Sequence, residues 1–398
     1  MPLKIANVIT SFNSASGGPP RTVSLIAQAG LGLWLAELFT TDARASAVDS
    51  LLTDEFPGRV TLLPANTVRP LRAGLMSFGL VRAHEAQLLR GGPPDVLHIH
   101  GIWSLFLHAF ARTAIRNGIP YILTPHGMLE PWSLSKRAWR KSLALASYQG
   151  AILSRAAAIH ATSETEAAHI RRLPAVRAPI FVIPNAVDVP GNTLSAPERS
   201  QFKPQAAPAS KVLLFLSRIH QKKGLDILLQ AWNRVRPRAW TLRIAGAGDP
   251  AYLQQLKRYC RTENVPGVEF VGHVDGYARE AEFRAASALV LPTYSENFGN
   301  VVAEAMVRGL PVLTTTGTPW SVVSEQKLGW YFEPKADALI GVLRALEATA
   351  PTELRAMGER GRAYALATLS NSAVRGRFMH MYTSVVHQKI LRHGGFSA

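Results

Sequence analysis

The residues with the clearest chemical potential lie in one short stretch, from Pro292 to Gly309. It contains two glutamates, Glu296 and Glu304, separated by seven residues that include Asn-Phe-Gly-Asn. Strand-like apolar runs flank the stretch, and its second half has helical spacing, so it is predicted to form strand, loop, helix and strand. Glu296 would then lie in the loop, beside the amides of residues 298 to 301. A carboxylate next to a row of amide donors suits a polyol ligand.

Two further loops carry groups that could bind phosphate. Arg218 and Lys223 lie between a predicted strand at 211–216 and a predicted helix at 225–235. Arginine offers phosphate a planar fork of donors and lysine a mobile charge, so the two could clamp a diphosphate, although basic loop residues taken alone are usually solvated. Gly17 and Gly18 precede another predicted helix, where backbone could approach an anion. Taken alone, such a pair is more often a plain turn.

Two predicted strands end in histidine and glycine. Alternation places His98 and His100 on one face of the strand at 95–101, and His126 follows the strand at 121–124. Two histidines on one face could begin a metal site, but no third ligand of fitting spacing follows closely. We therefore expect strand-end turns that face a ligand. Taken alone, His126 is more simply a histidine that caps a turn.

Taken in chain order, the glycine loop, His126-Gly127, the pair Arg218 and Lys223, and the two glutamates resemble the signature of the group-4 family of retaining, nucleotide-sugar-dependent glycosyltransferases. The sequence at 183–188 also resembles the hinge of that family, with Ala186 where glycine is usual, and Ser217 and Lys222 stand where glycine and glutamate are commoner. The resemblance implies an α/β protein of the GT-B fold, with two Rossmann-like domains facing a central cleft. The expected parts are an acceptor domain at 1–184, a nucleotide-sugar donor domain at 185–371, and a helix at 372–398 that crosses back to the first domain.

The resemblance also implies roles for individual residues. It gives catalytic roles to His126, Arg218, Lys223 and Glu296. It gives substrate-binding roles to Gly17, Gly18, Phe298, Gly299, Asn300 and Glu304. In such enzymes the histidine contacts the donor sugar, the basic pair holds the diphosphate and the second glutamate accepts from the ribose hydroxyls, while retention is described as front-face attack assisted by the leaving diphosphate. No Asp-x-Asp sequence is present to hold a divalent ion. We therefore expect no metal and no cofactor besides the donor substrate.

Composition bounds the class of protein. A chain of 398 residues exceeds what one core usually organises, and 47% hydrophobic with 18% charged residues fits a folded protein. The single cysteine, Cys260, excludes an internal disulfide framework. The sequence shows neither the pattern of a signal peptide nor an apolar run of about 18 residues. These features predict a cytoplasmic protein.

The net charge of +17 predicts an anionic partner. Two stretches, 56–84 and 131–155, contain no acidic residue. The first fits a membrane-surface helix and an ordinary core helix equally well. In the second, four basic residues have the spacing of one helix face, together with Trp132 and Trp139. These four are Lys136, Arg137, Arg140 and Lys141. The segment predicts peripheral docking on the anionic inner face of a membrane, although it could also be a solubilised core helix beside a soluble acceptor.

The predicted function is transfer of a sugar to an acceptor hydroxyl, with a lipid-linked glycan of polysaccharide biosynthesis as the expected acceptor. Two alternatives remain. A GT-B sugar-nucleotide epimerase would share the fold, although the glutamate pair is typical of the transferases. A basic nucleic-acid-binding protein would explain the charge. Against the second, the sequence has no recognised nucleic-acid-binding module and its sharpest basic segment is interleaved with tryptophans and leucines, so we expect no nucleic-acid partner.

Overall fold

A computed structural model describes residues 2–13, 18–41, 56–63, 85–189 and 211–394. The chain divides into two compact units. Unit 1 comprises Met1–Ala186 and Asn371–Ala398, and unit 2 comprises Val187–Ser370. Each unit holds a parallel sheet. Most central strands are short, continuous runs of buried apolar residues, as expected where helices cover both faces of a parallel sheet. The prediction of two Rossmann-like α/β domains is confirmed.

The sheet of unit 1 has seven strands in the order β3-β2-β1-β4-β5-β6-β7. They are β1 (Leu3–Ile9), β2 (Trp34–Thr41), β3 (Arg59–Leu63), β4 (Val96–His100), β5 (Tyr121–Thr124), β6 (Ala158–Ala161) and β7 (Ile180–Val182). The helices up to β7 are α1 (Gly18–Ala29), α2 (Leu105–Arg116), α3 (Pro131–Ser135), α4 (Ala138–Ala144), α5 (Gly150–Arg155) and α6 (Glu164–Arg171). A π-helical turn, Leu145–Gln149, joins α4 to α5.

The basic segment is not one helix, and this part of the sequence prediction is wrong. Arg137 has a left-handed backbone with φ of 53°, which ends α3 and starts α4 in a new direction. Lys136 and Arg137 therefore lie in the break, and only Arg140 and Lys141 share a helix. The ammonium of Lys141 bonds back to the carbonyl of Ser133 across the break. Most of the predicted stretch 56–84 lies outside the described residues.

The sheet of unit 2 has six strands in the order β10-β9-β8-β11-β12-β13. They are β8 (Lys211–Leu216), β9 (Trp240–Ala245), β10 (Val268–Gly272), β11 (Ala288–Leu291), β12 (Val312–Thr315) and β13 (Gly329–Phe332). The helices are α7 (Leu225–Val235), α8 (Pro250–Thr262), α9 (Gly276–Ala285), α10 (Asn300–Val307), α11 (Val322–Glu325), α12 (Ala336–Ala348) and α13 (Pro351–Leu369).

The last helix, α14 (Asn371–Gly394), belongs to unit 1 and packs against α1. One face of α14 is buried in the same apolar cluster as Ile5 and Ile26. The buried side chains of this face are Val374, Phe378, Met381, Tyr382 and Val385. Each large apolar side chain removed from water contributes about 1.5–3 kcal/mol, so α14 is a structural part of unit 1. No helix in the described part of the chain is long and apolar enough to cross a membrane.

Both sheets reverse their strand order beside a central strand. In unit 2 the chain runs from β8 outwards through β9 to β10, then returns to place β11 on the other side of β8. In unit 1, β1 has β2 on one side and β4 on the other. Ligands of open α/β sheets bind beyond the carboxyl ends of the strands at such a switch point. The loops after β8 and β11, and after β1 and β4, are therefore the expected ligand-binding regions.

Candidate functional site

In unit 2, the loop after β8 is shaped by a histidine and a glycine. The ring of His220 accepts a hydrogen bond from the amide of Lys222 at 3.0 Å, which starts a single 3₁₀ turn at Gln221–Lys223. Gly224 follows with φ of 69°, and a Cβ at this position would overlap the carbonyl oxygen of Pro292. Only glycine fits this approach, which brings Lys223 against the loop that follows β11.

The loop after β11 is held by backbone bonds on both sides. The carbonyl of Lys222 accepts from the amide of Tyr294 and from the hydroxyl of Thr293, both at 2.9 Å. On the other side, the amide of Glu296 donates to the carbonyl of Gly317 at 2.7 Å. These contacts fix Glu296 opposite the loop after β8.

The outcome is an ion pair between Lys223 and Glu296 at the switch point of unit 2. Their side chains are 12% and 18% exposed, so the pair is largely shielded but still open to solvent. A cation and a carboxylate in this setting could bind a phosphate oxygen and sugar hydroxyls respectively. Arg218 lies in the same loop with its side chain exposed, and in the described part of the chain no carboxylate forms an ion pair with it.

The start of α10 is built around Gly299. This residue has φ of 78°, and a Cβ there would lie 3.1 Å from Cγ of Glu296. The ring of Phe298 is 6% exposed and packs edge-on against Trp320 at 4.9 Å between centroids, while the indole N–H of Trp320 donates to the carbonyl of Phe298. The side chain of Phe298 is therefore part of the core, and only its backbone could contact a substrate. Asn300 is the first residue of α10.

Glu304 lies on α10 in an arrangement that the sequence did not predict. Its carboxylate forms an ion pair with Arg279 of α9, and its carbonyl accepts from Arg308 at 2.9 Å. Arg308 also pairs with Glu280 at 2.7 Å. Both guanidinium groups lie beside the ring of Phe283, at 5.0 and 4.5 Å. Any ligand that reaches Glu304 therefore also meets Arg279.

In unit 1, His126 lies in a turn whose shape is set by a buried carboxylate. His126 and Gly127 have φ of 51° and 75°. The amide of Gly127 donates to Oε1 of Glu166 at 2.7 Å, and Oε2 accepts from the amide of Thr162 at 2.7 Å. Ser163 caps the start of α6 by accepting from the amide of Glu166 at 3.1 Å, and the carboxylate of Glu166 holds the histidine turn.

The ring of His126 belongs to a network of four histidines. His98 and His100 lie side by side, 4.1 Å between ring centroids, which confirms that they share a face. They are 0% and 2% exposed, so they do not face a ligand directly as the sequence suggested. The sequence also gave no role to His160, which is fully buried nearby. Within the described residues, no three side chains of the metal-binding types are arranged to hold an ion.

Burial keeps these histidines neutral. It lowers the pKa of His126 to about 3 and that of His160 to about 4, and the nearby His160 adds to the effect on the pKa of His126. The pKa of His98 and that of His100 are lowered well below 6.5 for the same reason, chiefly desolvation. The imidazole of His126 is thus uncharged at neutral pH. It can exchange hydrogen bonds with a ligand but does not supply a positive charge.

The predicted glycine pair is only partly described. Gly17 lies outside the described residues. Gly18 is exposed and begins α1, beyond the carboxyl end of β1, and its carbonyl accepts from the hydroxyl of Thr22 at 3.2 Å. Gly18 therefore lies in the segment that follows β1, at the switch point of unit 1.

Two family models match the chain. The glycosyl transferase 4-like domain matches residues 17–186, and the group 1 glycosyl transferases match residues 210–348. These ranges correspond to the first part of unit 1 and to most of unit 2.

Individual proteins give the same result. Alpha-1,3/1,6-mannosyltransferase alg2 of Schizosaccharomyces pombe is 27% identical over 240 residues, which is 52% of this chain and 46% of that relative. The match thus spans about half of the relative. Sucrose-phosphate synthase of Thermosynechococcus elongatus has a TM-score of 0.75 at 21% identity, with 97% and 100% of the two chains covered. Anabaena HepE, solved with UDP-glucose, has a TM-score of 0.73 at 18% identity, covering 96% and 100%.

These similarities give no support to the epimerase or nucleic-acid-binding alternatives, and they confirm the family resemblance. The chain therefore belongs to the GT-B glycosyltransferases that combine a glycosyl transferase 4-like domain with a group 1 glycosyl transferase domain.

Proposed function

We propose that the protein transfers a sugar from a nucleotide diphosphate-sugar to an acceptor hydroxyl with retention of anomeric configuration. The observation that carries the proposal is the Lys223–Glu296 ion pair at the switch point of unit 2. It brings a group suited to phosphate and a group suited to sugar hydroxyls to one place. The relative named as a mannosyltransferase and the structural neighbour that holds UDP-glucose support the same class of reaction.

The donor diphosphate would replace Glu296 as the partner of Lys223. The ammonium of Lys223 would bind a phosphate oxygen, and the carboxylate of Glu296 would then accept hydrogen bonds from sugar hydroxyls. As the bond between the sugar and the diphosphate breaks, negative charge grows on the leaving group. Lys223 and Arg218 are cations that can stabilise this charge without a metal ion.

The neutral state of His126 bears on the stereochemical course. Retention through a covalent intermediate needs a pair of carboxylates, one of them as nucleophile, and none of the site residues has that role. Front-face attack, in which the leaving diphosphate accepts the proton of the acceptor hydroxyl, needs no protein acid. A histidine whose pKa burial lowers to about 3 is suited to orient the sugar rather than to protonate the leaving diphosphate.

Glu304 is proposed to bind the nucleotide ribose. Its carboxylate is largely buried on α10 and paired with Arg279, so its orientation is fixed before any ligand arrives. Ribose hydroxyls would share this carboxylate with Arg279, and the guanidinium would then lie next to the nucleotide.

The experiment is a thermal-shift screen with UDP-, GDP- and ADP-sugars, followed by turnover of the donor that stabilises the protein. Lys223→Ala and Arg218→Ala should each lower turnover by roughly two to three orders of magnitude while the fold persists, the scale for losing one preorganised charge. Lys222→Ala, the same charge change in the same loop, is the matched control. Near-wild-type turnover of both site variants at saturating donor would refute the assignment.

We further propose a lipid-linked glycan as acceptor, taken up at the anionic cytoplasmic face of a membrane. The support is the surface from 131 to 144. Trp139 and Leu143 are 67% and 62% exposed, and the guanidinium of Arg140 lies 5.1 Å from the ring of Trp139. The ammonium of Lys136 lies 5.3 Å from the ring of Trp132. Exposed aromatic and aliphatic groups beside cations suit the interface of an anionic bilayer.

Vesicle co-sedimentation tests this part separately. Each basic residue near an anionic surface contributes about 1 kcal/mol, so binding should be salt-reversible. We expect binding to anionic but not zwitterionic vesicles, weakened by Lys136→Glu with Arg140→Glu. The control pair is Arg258→Glu with Arg261→Glu, the same charge change on α8 of unit 2. Failure to bind either vesicle type would remove the membrane proposal and favour a soluble acceptor, without affecting sugar transfer.

A further inference from the structure

The hydrogen bonds around His126 define where its proton lies. The amide nitrogen of Asn7 donates to the carbonyl of Glu37 at 3.4 Å, which turns its oxygen towards His100. This oxygen lies 3.2 Å from Nε2 of His100 and only accepts, so Nε2 of His100 carries the proton. Nδ1 of His100 is then unprotonated and can only accept a hydrogen bond, and Nε2 of His126 lies 3.2 Å from it. Nε2 of His126 must therefore be the protonated nitrogen.

The protonated nitrogens of His160 and His98 follow in the same way, starting from the carbonyl of Ile183. Nε2 of His160 lies 2.8 Å from the carbonyl of Ile183, which can only accept, so Nδ1 of His160 is an acceptor for the hydroxyl of Thr124 at 2.9 Å. Thr124 in turn accepts from Nε2 of His98 at 2.7 Å. Nδ1 of His98 then accepts from the hydroxyl of Tyr382 at 2.9 Å. Every bond in this second chain also has one donor and one acceptor.

The two sets of hydrogen bonds are in contact through their rings. The rings of His98 and His100 are in contact, and the ring of His126 stacks on His100 with 5.5 Å between centroids. Protonating Nδ1 of His100 would place its N–H against the Nε2–H of His126 and break the hydrogen bond between the two rings. Rotating the ring of His100 would break its bond with Asn7. The arrangement therefore admits one pattern of protons.

We infer that Asn7 and His100 are positioning residues that hold His126 as its Nε2–H tautomer and so present its Nδ1 as a hydrogen-bond acceptor for a ligand hydroxyl. Nδ1 of His126 has no partner within the described residues, and its ring is partly exposed. The single proton of His126 is committed to His100, so the ring accepts from a ligand and does not donate. The tautomer follows from the hydrogen bonds alone, whereas the identity of the ligand as a sugar rests on the proposed function.

The tautomers can be read directly by multiple-bond ¹H–¹⁵N spectroscopy of the histidine rings at neutral pH. We expect the Nε2–H pattern for His126 and His100. His100→Leu removes the acceptor and should give a mixture of tautomers at His126, whereas His100→Asn keeps an oxygen near the position of Nδ1 and should preserve the Nε2–H form. Asn7→Leu gives an equivalent readout if His100→Leu does not fold. A wild-type Nδ1–H pattern at His126, or an unchanged pattern in a folded His100→Leu or Asn7→Leu protein, would overturn the inference.

Steady-state kinetics add a functional readout. His100→Leu should lower kcat/KM for the sugar substrate by about tenfold, the scale of one hydrogen bond, and His100→Asn should recover most of it. Equal loss in both variants would mean that the residue acts only through packing and would overturn its positioning role. If no sugar nucleotide is turned over, the proposed function fails, and the ring spectra still decide the tautomer.

Discussion

Acidification should destabilise unit 1 more steeply than unit 2, because unit 1 holds its histidine network uncharged. His98, His100 and His160 are 0–2% exposed, and burial lowers the pKa of each below 6.5. At pH values between the folded-state pKa and the unfolded-state pKa of these histidines, the unfolded chain binds protons that the folded chain does not. The stabilisation is therefore complete above about pH 6.5 and is lost as the pH falls.

The size of the effect follows from this count. A histidine that stays neutral in the folded protein and titrates normally in the unfolded chain lowers the free energy of unfolding by about 1.4 kcal/mol for each pH unit below 6.5. At pH 5.5 the three buried rings together remove about 4 kcal/mol from the free energy of unfolding, and His126, whose pKa burial also lowers, adds to this loss. A typical domain has only about 5–15 kcal/mol in total, so the loss is large.

Urea unfolding between pH 8.0 and 5.5, combined with hydrogen-exchange mass spectrometry, would measure the effect in each unit. The exchange of β4 to β6 reports on unit 1, and that of β8, β11 and β12 on unit 2. His160→Gln removes one titrating group and should reduce the pH slope of unit 1 by about a third. His387→Gln, an exposed position on α14, should leave the slope unchanged. Equal slopes in the two units, or no effect of His160→Gln, would refute the reasoning.

Four further predictions concern unit 2 and the reaction. Lys223→Ala should lower kcat/KM for the donor by roughly 10²–10³, with Lys222→Ala close to wild type, and equal effects of the two would argue against a specific contact. Glu304→Gln should weaken nucleotide binding, measured by calorimetry, more than it lowers kcat, and unchanged affinity would exclude the ribose role. Gly224→Ala should destabilise the protein by about 1–3 kcal/mol, because φ is 69° and the Cβ would overlap a carbonyl oxygen. The control is Gly341→Ala, at an open helix position, which should be neutral or stabilising by up to about 1 kcal/mol. Equal melting temperatures of the two variants would contradict this prediction. Turnover should persist in EDTA, and full loss that magnesium restores would show that a metal is needed.

Periodicity predicted the regular parts of the chain well. The bounds predicted for β8 and α7 coincide with those in the structure. It failed at 131–155 because an apolar and basic pattern assumes one continuous helix, and a single left-handed residue, Arg137, breaks it. Long basic side chains are compatible with many backbone conformations, so the pattern contained no sign of the break.

The site residues could be found from the sequence, but their partners could not. Lys223 and Glu296 were both predicted as ligand-binding residues, yet their ion pair joins positions far apart in the sequence and arises only because β8 and β11 are neighbours. The pair of Glu304 with Arg279 has the same origin in the packing of α9 beside α10. Alternation revealed the shared face of His98 and His100, but not the depth of its burial. That depth depends on helices whose positions the strand pattern does not specify.

The place of α14 has a consequence for biosynthesis. Unit 1 is made of two chain segments, and the second, Asn371–Ala398, leaves the ribosome only after all of unit 2 has been made. At about 5–20 residues per second, the first segment waits roughly 10–40 s for the helix that completes its apolar cluster around Ile26. Unit 2 is synthesised during that interval and, as a single continuous segment, needs no later part of the chain to complete its fold. The nascent first segment meanwhile exposes apolar surface to chaperones, so maturation of the later half should precede that of the earlier one.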